Sequence, residues 1–352
     1  MTLINGLNIK SLLTRLRVKV EILVYISLAP LRFYRLNRLA SGLDFLPSYK
    51  NKNTDLVDVE NRSVLIVIPF KDKWYLTKKC IQSLARQKIS AQSIKVHLEL
   101  VDNNSKEQQT RAGLNGVRSS LPKQFSLSKF RDTSIFNFSK LNNDAVDRHK
   151  TSFYDYYLFL NNDIEFRSDH DLERMINSLA SYDNTAIVGT TLIYPNECIQ
   201  HLFVMPGMKI VGAHPFRGYR TDFTERWFKK DHIVPAVTGA AMLVKREAFE
   251  EVGGFDPNLA NCYQDVDLCL KVRKLGNDVM SLGPVILTHH ETATRKPVPS
   301  WDEVTYCYEK WGEKLEKDPL FPLHFSRCSE KLVPTGYKFH RFPWEKIKVN
   351  NA

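Results

Sequence analysis

The chain has few cysteines, and none of them lie close together in the sequence. The six are spread through 352 residues and form no CxxC pair. Such spacing is typical of neither a zinc cluster nor a disulfide-stabilised scaffold. We therefore expect reduced thiols, as in a cytoplasmic enzyme.

Long apolar runs are also missing. A transmembrane helix needs about 20 consecutive apolar residues, and the closest approach, residues 22–31, has about half that length. This run also lacks the small-residue cleavage pattern of a secretory signal. The sequence therefore predicts no membrane-spanning helix and a cytoplasmic location.

The composition is that of an ordinary globular protein, with 43% hydrophobic and 25% charged residues. Fifty Lys and Arg against thirty-nine Asp and Glu give a formal net charge of +11. This excess favours anionic partners such as nucleotide phosphates, anionic lipid or nucleic acid. Charge alone does not choose among them.

An N-terminal segment, residues 1–60, differs from the rest of the chain. Basic and apolar side chains are interleaved over residues 10–38, and a polar stretch at residues 51–62 resembles a linker. The pattern suits an amphipathic segment on an anionic membrane surface, such as the inner face of the plasma membrane. The alternative is a helix packed on the rest of the chain with its basic face in solvent. Both interpretations stay open.

From about residue 61, apolar runs with strand character alternate with helical spacing. Strands are expected at residues 63–69, 95–101, 156–160, 186–189 and 236–244, and helices at residues 75–87, 246–252 and 265–275. This alternation predicts a Rossmann-like α/β domain over residues 61–300, a mostly parallel sheet flanked by helices. Ligands of such sheets bind beyond the carboxyl ends of the strands. Residues 301–352, rich in proline and aromatics, are expected to form a C-terminal extension packed on the domain.

Three carboxylates lie at points where a ligand is expected. Asp102 follows the second strand, Asp163 follows the third, and Asp265 opens a helix after a Gly-rich turn. Each alone is more typical of a turn or a helix cap than of a catalytic group. Their joint placement in one alternating domain indicates a functional site.

Five segments, in this order, resemble family 2 nucleotide-sugar glycosyltransferases of the GT-A fold. They are SVLIVIPFKDKWYLTKKCIQSL, VHLELVDNNSKE, YLFLNNDIEF, VTGAAMLVKREAFEEVGGFDPNL and YQDVDLCLKVRKLG, and the likeness runs from about residue 63 to residue 295. IQH at residues 199–201, HHETATR at residues 289–295 and the Asp318-Pro319 pair resemble bacterial members that build O-antigen and capsule chains. The resemblance implies an inverting hexosyltransferase of surface polysaccharide biosynthesis. Its substrates would be a nucleotide-diphosphate sugar donor and a hydroxyl of a glycan or lipid-linked glycan acceptor.

The implied reaction displaces a nucleoside diphosphate, whose oxygens suit a divalent cation such as Mn²⁺ or Mg²⁺. Residues 161–163 (NND) match the family's DxD motif. Asn161 replaces its first Asp, so Asp163 is expected to carry most of the metal contact. Either His289 or His290 is expected to complete the metal shell, and the sequence does not decide between them.

The resemblance also implies which residues bind the nucleotide sugar. These are Pro69 at the end of the first strand, Asp102, Asn161 and Arg295. Asp102 matches an acid that accepts hydrogen bonds from the base or ribose, and Arg295 is expected to bind phosphate. The alternatives are an Asx-turn for Asp102 and a solvated side chain for Arg295.

On the acceptor side, Asp265 matches the acid of the family's ED motif and is the expected general base. Gln264 replaces the Glu of that motif. Gln264, Gly239 and Trp227 are the expected acceptor contacts. Trp227 ends a long aromatic stretch, residues 201–227, that suits the apolar faces of sugars. A packed Ω-loop without a ligand is the alternative for this stretch.

Two competing functions explain part of the pattern. A nucleotidyltransferase also places acids at strand ends, but it usually needs a Gly-rich phosphate loop, which residues 69–72 are not. A basic nucleic-acid-binding protein would fit the net charge, but no recognised module is present and the basic residues are scattered. We therefore expect no nucleic-acid partner.

Overall fold

A computed structural model describes residues 46–50, 62–89, 94–224, 226–291, 299–321, 327 and 330. The membrane-surface segment expected within residues 1–45 lies outside the described residues, and so does Arg295. No helix among the described residues combines the length and the apolar character needed to cross a membrane. The described cysteines, Cys80, Cys198, Cys262, Cys269 and Cys307, are free thiols.

A single large sheet forms the centre of the fold. Its strands are β1 (Ser48–Lys50), β2 (Arg62–Phe70), β3 (Ile94–Asn103), β4 (Phe125–Asp132), β5 (Tyr156–Leu160), β6 (Ile164–Phe166), β7 (Thr185–Ile193), β8 (Ile199–His201), β11 (Lys230–Ile233), β12 (Ala241–Lys245) and β13 (Asp278–His289). Two very short strands, β9 (Met205–Pro206) and β10 (Gly212–Ala213), pair separately. The described helices are α1 (Trp74–Ala85), α2 (Gln108–Ser120), α3 (Phe138–Arg148), α4 (Asp171–Ser181), α5 (Arg246–Glu251), α6 (Gln264–Lys274) and α7 (Trp301–Glu316).

The main strand order is β1-β11-β13-β7-β12-β5-β2-β3-β4, with β6 paired to β13 and β8 to β7. Seven of these nine main strands run in the same direction, and only β11 and β12 oppose them. The predicted α/β fold with a mostly parallel sheet is therefore confirmed. Because most strands share a direction, their carboxyl ends meet at one edge of the sheet.

Strand β2 shows how the sequence pattern builds the core. Its residues 64–68 are all buried, as expected for a parallel strand covered on both faces. Val64 and Ile66 share one apolar cluster with Ile81 of α1 and Ile176 of α4. Helix α3 also contacts β2. Helix packing on the sheet thus holds the strand ends in fixed positions.

Strand β1 adds a feature that the sequence pattern did not predict. Residues 48–50 had been assigned to the N-terminal segment, but they pair antiparallel with β11 and extend the sheet. The preceding Leu46 is buried, and the carbonyl of Pro47 accepts a hydrogen bond from the amide of Ile233 at 2.9 Å. The sheet therefore begins before residue 61.

The described part of the C-terminal extension packs against α6. Helix α7 begins at Trp301 after a capping box between Ser300 and Glu303. The indole Nε1 of Trp311 donates to Oδ1 of the buried Asp267 at 2.7 Å, and Arg273 pairs with Asp318 at 2.6 Å. These contacts fix the helix whose first turn carries Asp265.

At the other end of the described sheet, β4 pairs with β3 alone. Its second half is largely exposed, including Lys129, Phe130 and Arg131. Lys129 donates to the carbonyl of Leu114 at 2.8 Å, and Arg131 to Oδ1 of Asn104 at 3.0 Å. Charged side chains therefore flank the unpaired side of this strand.

The core packs so closely around Gly189 of β7 that a methyl group does not fit. A Cβ there would lie 2.5 Å from Cβ of Val237 and within 2.9 Å of both its methyl groups. Gly189→Ala should lower the free energy of unfolding by about 1–3 kcal/mol, because overpacking forces neighbouring groups to move. Urea denaturation measures this change.

Gly116→Ala is the matched control. Gly116 lies within α2, and nothing lies within 4 Å of a Cβ built there. The same substitution should raise the free energy of unfolding by about 0.5–1 kcal/mol, because alanine favours the helix. A Gly189→Ala protein as stable as wild type would contradict the packing described for this site.

Candidate active site

A cleft of about 760 Å³ opens at the carboxyl edge of the sheet. Seven of the residues expected at the site line it: Pro69, Asn161, Asp163, Gly239, Gln264, Asp265 and His289. Strand ends β2, β5 and β13, the turn before β12 and the first turn of α6 supply them. The fold therefore brings residues from distant parts of the chain to one cavity.

Asp163 and His289 form a buried pair in this cleft. Oδ1 of Asp163 lies 3.2 Å from Nε2 of His289. Neither Oδ1 of Asp163 nor Nδ1 of His289 has a well-aligned hydrogen bond among the described residues. Burial disfavours the ionised carboxylate, but the adjacent imidazole outweighs this effect and lowers the pKa of Asp163. The carboxylate is therefore ionised at neutral pH.

This pair fits a divalent cation. Two ligand atoms at right angles around a cation, each about 2.1 Å from it, lie about 3 Å apart, close to the observed separation. An anionic oxygen and an imidazole nitrogen are also suitable ligands for Mn²⁺. Asn161, on the same cleft, offers a neutral amide.

His290 is turned away from the cleft. Its Nε2 lies 3.1 Å from Oε2 of Glu165, and its amide donates to the carbonyl of Asp163. Successive side chains of a strand point to opposite faces, so the two histidines at the end of β13 separate. The structure therefore brings His289, and not His290, to Asp163.

Asp265 is held at the cleft by backbone groups. Oδ2 accepts from the amide of Gly239 at 3.0 Å, and Oδ1 accepts from the amide of Val266 at 2.8 Å. Helix α6 begins after Tyr263, whose φ of 67° is in the left-handed region. Burial raises the pKa of Asp265, and the backbone hydrogen bonds offset only part of that effect.

Gly239 and Gln264, the expected acceptor contacts, both line the cleft. A Cβ on Gly239 would meet Phe138 and Asp265 at 3.4–3.5 Å, which is ordinary contact. Packing therefore does not exclude a side chain at this position. The contribution of Gly239 is its amide. Oε1 of Gln264 is buried without a hydrogen bond among the described residues.

Trp227 does not reach the cleft. Its ring is fully buried, stacks on His232 with centroids 3.8 Å apart, and donates from Nε1 to Thr191 at 3.1 Å. The expected acceptor contact is therefore wrong for this residue, because its large apolar ring packs into the core. The alternative, a packed stretch that binds no ligand, describes Trp227 correctly.

Asp102 lies at the carboxyl end of β3, but its side chain closes a local turn. It is 5% exposed, and Oδ1 accepts from the amide of Ser105 at 2.8 Å, as in an Asx-turn. The next residue, Asn103, lines the cleft instead. A nucleotide contact from Asp102 itself stays a prediction.

Sequence reasoning missed a carboxylate in the same cleft. Glu291 lines it and is bound by Arg217 at 2.8 Å, Tyr194 at 2.8 Å and Gln200 at 3.2 Å. Burial disfavours its charge, but Arg217 and these hydrogen bonds hold the pKa of Glu291 below its usual value. Gln200 and Glu291 lie within the IQH and HHETATR motifs, which carried the signal.

Two histidines at the cleft, one in its lining and one outside it, contact each other. Nδ1 of His201 lies 2.9 Å from Nδ1 of His214, and Nε2 of His201 accepts from the amide of Thr238 at 3.3 Å. Burial lowers the pKa of His201 and lowers that of His214 to about 4. Both rings are therefore neutral at physiological pH, and His214 lines the cleft.

Another group of ligand-type side chains lies outside the cleft. His97, Glu99 and His149 have ligand atoms within 4.8 Å of one another. The Ser128 hydroxyl lies 2.7 Å from His97 and 3.4 Å from His149. Arg148 holds Glu99 through Nε and Nη2 at 3.0 and 2.8 Å. The carboxylate is thus already neutralised, and the group joins β3 to the end of α3.

Comparisons with known proteins agree with this geometry. Residues 65–253 match the family described as Glycosyl transferase family 2. O-antigen biosynthesis protein RfbC of Myxococcus xanthus is 32% identical over 306 residues, covering 81% of this chain and 22% of RfbC. The uncharacterized protein y4gI of Sinorhizobium fredii is 30% identical over 268 residues, covering 73% of this chain and 28% of y4gI. The chain thus spans about a quarter of the length of these relatives.

Two solved structures share the fold at low sequence identity. GalNAc-T7 with UDP, GalNAc and Mn²⁺ superposes with a TM-score of 0.54 at 14% identity, over 72% of this chain and 50% of that one. The mannosyltransferase PcManGT of Pyrobaculum calidifontis, with GDP-Man and Mn²⁺, gives 0.51 at 13% identity, over 84% and 80%. Since the family match also covers more than half of the sequence, the chain belongs to glycosyl transferase family 2 and has the GT-A fold.

Proposed function

We propose that this glycosyltransferase moves a hexosyl group from a nucleotide-diphosphate sugar to a hydroxyl of a glycan or lipid-linked glycan, inverting the anomeric carbon. The observation that carries the proposal is one cleft that holds two carboxylates with opposite pKa shifts, Asp163 and Asp265. Two titratable groups whose surroundings move their pKa values apart are suited to different roles in one reaction.

Asp163 and His289 would hold the divalent cation, with Asn161 beside them. The fit of their separation to a cation's ligand spacing supports this role, and so does the Mn²⁺ in both related structures. When bound, a cation supplies positive charge against the leaving diphosphate. The ionised state of Asp163 prepares the pair for this ligand.

Asp265 would deprotonate the acceptor hydroxyl. A general base works best when its pKa lies near the working pH, and burial moves the pKa of Asp265 in that direction. The amides of Gly239 and Val266 fix both oxygens in orientation. A single base that activates the acceptor is what direct displacement with inversion requires.

The donor's nucleotide would lie beside the end of β2, where Pro69, Lys71 and Lys73 line the cleft. Two lysines there suit a diphosphate. Arg295 and Asp102 are proposed as further nucleotide contacts on the family resemblance alone. The name of RfbC, an O-antigen biosynthesis protein, supports an acceptor in surface polysaccharide synthesis.

The two carboxylates can be separated experimentally. Asp163→Asn should weaken Mn²⁺-dependent binding of the donor by about 10-fold or more, because a neutral amide is a poorer ligand for a hard cation. Asp265→Asn should leave that binding nearly unchanged and lower the transfer rate by about 10² to 10⁴. Calorimetry with nucleoside diphosphate and Mn²⁺, beside a transfer assay, measures both.

Asp169→Asn, an exposed acid that pairs with Lys88, is the matched control and should change neither quantity. Wild-type transfer by Asp265→Asn would rule out the base assignment.

The pH dependence of kcat/KM should show the same base. Since burial raises the pKa of Asp265, the rate should fall as pH drops through an apparent pKa above the ordinary 3.9 of aspartate. The residual activity of Asp265→Asn should lack this acidic limb. An acidic limb that persists unchanged in the variant would assign it to another group.

The N-terminal segment is proposed to attach the enzyme to anionic membrane, near a lipid-linked acceptor. Because β1 belongs to the sheet, the test uses a protein that starts at Leu46. It should hydrolyse donor as the full chain does but no longer sediment with vesicles of anionic phospholipid. Equal sedimentation of both proteins would refute the attachment role.

A further inference from the structure

Gln200, His214 and Glu291 line the cleft together, and the proposed reaction assigns none of them a role. We call these three residues the polar wall. His214 and Glu291 are oriented by residues outside the cleft lining, and Gln200 is oriented by Glu291. The wall therefore presents a fixed set of hydrogen-bonding groups. The chemistry of that set identifies the kind of ligand that it fits.

Gln200 offers an acceptor. Its Nε2 donates to Oε2 of Glu291 at 3.2 Å, which fixes the orientation of the amide. The side chain is 3% exposed, and Oε1 has no hydrogen bond among the described residues. Leaving such an oxygen buried and unpaired is energetically unfavourable. A ligand with a hydroxyl donor would remove that cost.

His214 offers a donor, and a chain of hydrogen bonds determines which nitrogen carries the proton. The amide of Thr238 donates to Nε2 of His201, so that nitrogen is an acceptor and the proton of the neutral ring is on Nδ1. This Nδ1 then donates to Nδ1 of His214 at 2.9 Å. The proton of His214 is therefore on Nε2. The backbone amide of Thr238 thus determines, through His201, which nitrogen of His214 can donate.

The negative charge of the wall is balanced by a residue beside it. The Glu291 carboxylate is neutralised by Arg217, whose Nη2 lies 2.8 Å from both of its oxygens. Tyr194 donates to Oε2 as well, which leaves Oε1 with spare acceptor capacity. One neutral donor and two acceptors that line the same cleft do not suit a phosphate, but they match the neighbouring hydroxyls of a sugar, each of which can donate and accept.

We infer that the polar wall is a subsite for a pair of adjacent hydroxyls on a glycosyl unit. The inference rests on the proposed function, because the same cleft must bind sugar. The glycosyl unit could be that of the donor or that of the acceptor, and both present the same chemistry. Gln200 accepts from one hydroxyl, and His214 donates to its neighbour.

The test compares Gln200→Met and His214→Phe with His214→Gln, which restores an N–H donor, and with His170→Phe as a control outside the cleft. The probes are UDP- and GDP-linked hexoses, the matching nucleoside diphosphates and deoxy analogues of the hexose that wild type uses. Calorimetry gives donor affinity, and steady-state transfer gives the acceptor KM.

If the wall binds the donor sugar, Gln200→Met and His214→Phe should weaken nucleotide-hexose binding about two- to tenfold and leave nucleoside diphosphate binding unchanged. If it binds the acceptor, the acceptor KM should rise by the same factor instead. One deoxy analogue should lose affinity for wild type but not for the variant that lacks its partner, because the same contact is removed. His214→Gln should recover part of the loss.

Two results would overturn the subsite. One is wild-type affinity and KM in both variants. The other is an equal loss for nucleoside diphosphate and nucleotide hexose, because that places the effect on the nucleotide or on folding. Failure of the proposed function differs from both, since wild type itself would then bind no nucleotide hexose.

Discussion

The cleft depends on three consecutive backbone groups at residues 238–240. The first amide donates to His201, the second donates to Asp265, and the carbonyl of the third accepts from the amide of Asn161 at 2.8 Å. One short turn therefore orients His214 of the polar wall, the proposed base and the segment that carries the proposed metal ligand. Backbone groups can do this only if the turn itself is rigid. β12 follows it directly and is paired on both sides, to β5 and β7.

Burial raises the pKa of both main carboxylates, but the net pKa shifts are opposite because the partners of the two groups differ. Asp163 faces an imidazole that can carry positive charge, and the attraction exceeds the cost of desolvation. The described partners of Asp265 are neutral, namely backbone amides and the Thr238 hydroxyl, and here desolvation prevails. Their relative acidity therefore follows from the placement of one histidine. The arrangement leaves one carboxylate ready for a cation and the other able to take up a proton.

Much of the fold and the positions of the two main carboxylates could be predicted from sequence, because the end of a strand leaves a local pattern in the sequence. The apolar run before Asp163 and the Gly-rich turn before Asp265 placed both residues at the sheet edge. What the pattern could not provide was orientation. To choose His289 over His290 one must know which face of β13 each side chain is on. To recognise that Trp227 is buried one must know that it packs against His232. The pairing of β1 was missed because three residues carry too weak a periodicity to be recognised.

The roles within known motifs were the other gap. Gln200 and Glu291 lie in segments that matched the family, yet they are 91 residues apart in the chain. Only the fold shows that one amide joins them. Their neighbour His214 has no motif of its own in the sequence analysis, and its role depends on a proton position that is set through His201.

Among the described strands, β4 has one unpaired side, and this edge bears on how the protein behaves in concentrated solution. An open strand offers its amides and carbonyls to any other chain, and pairing of such edges is a common start of aggregation. Here Lys129 and Arg131 are exposed beside that edge and are held by local hydrogen bonds. A second copy that added to β4 would have to desolvate two cations or bring like charges together. Lys129 and Arg131 thus disfavour the addition of further strands to the sheet at β4.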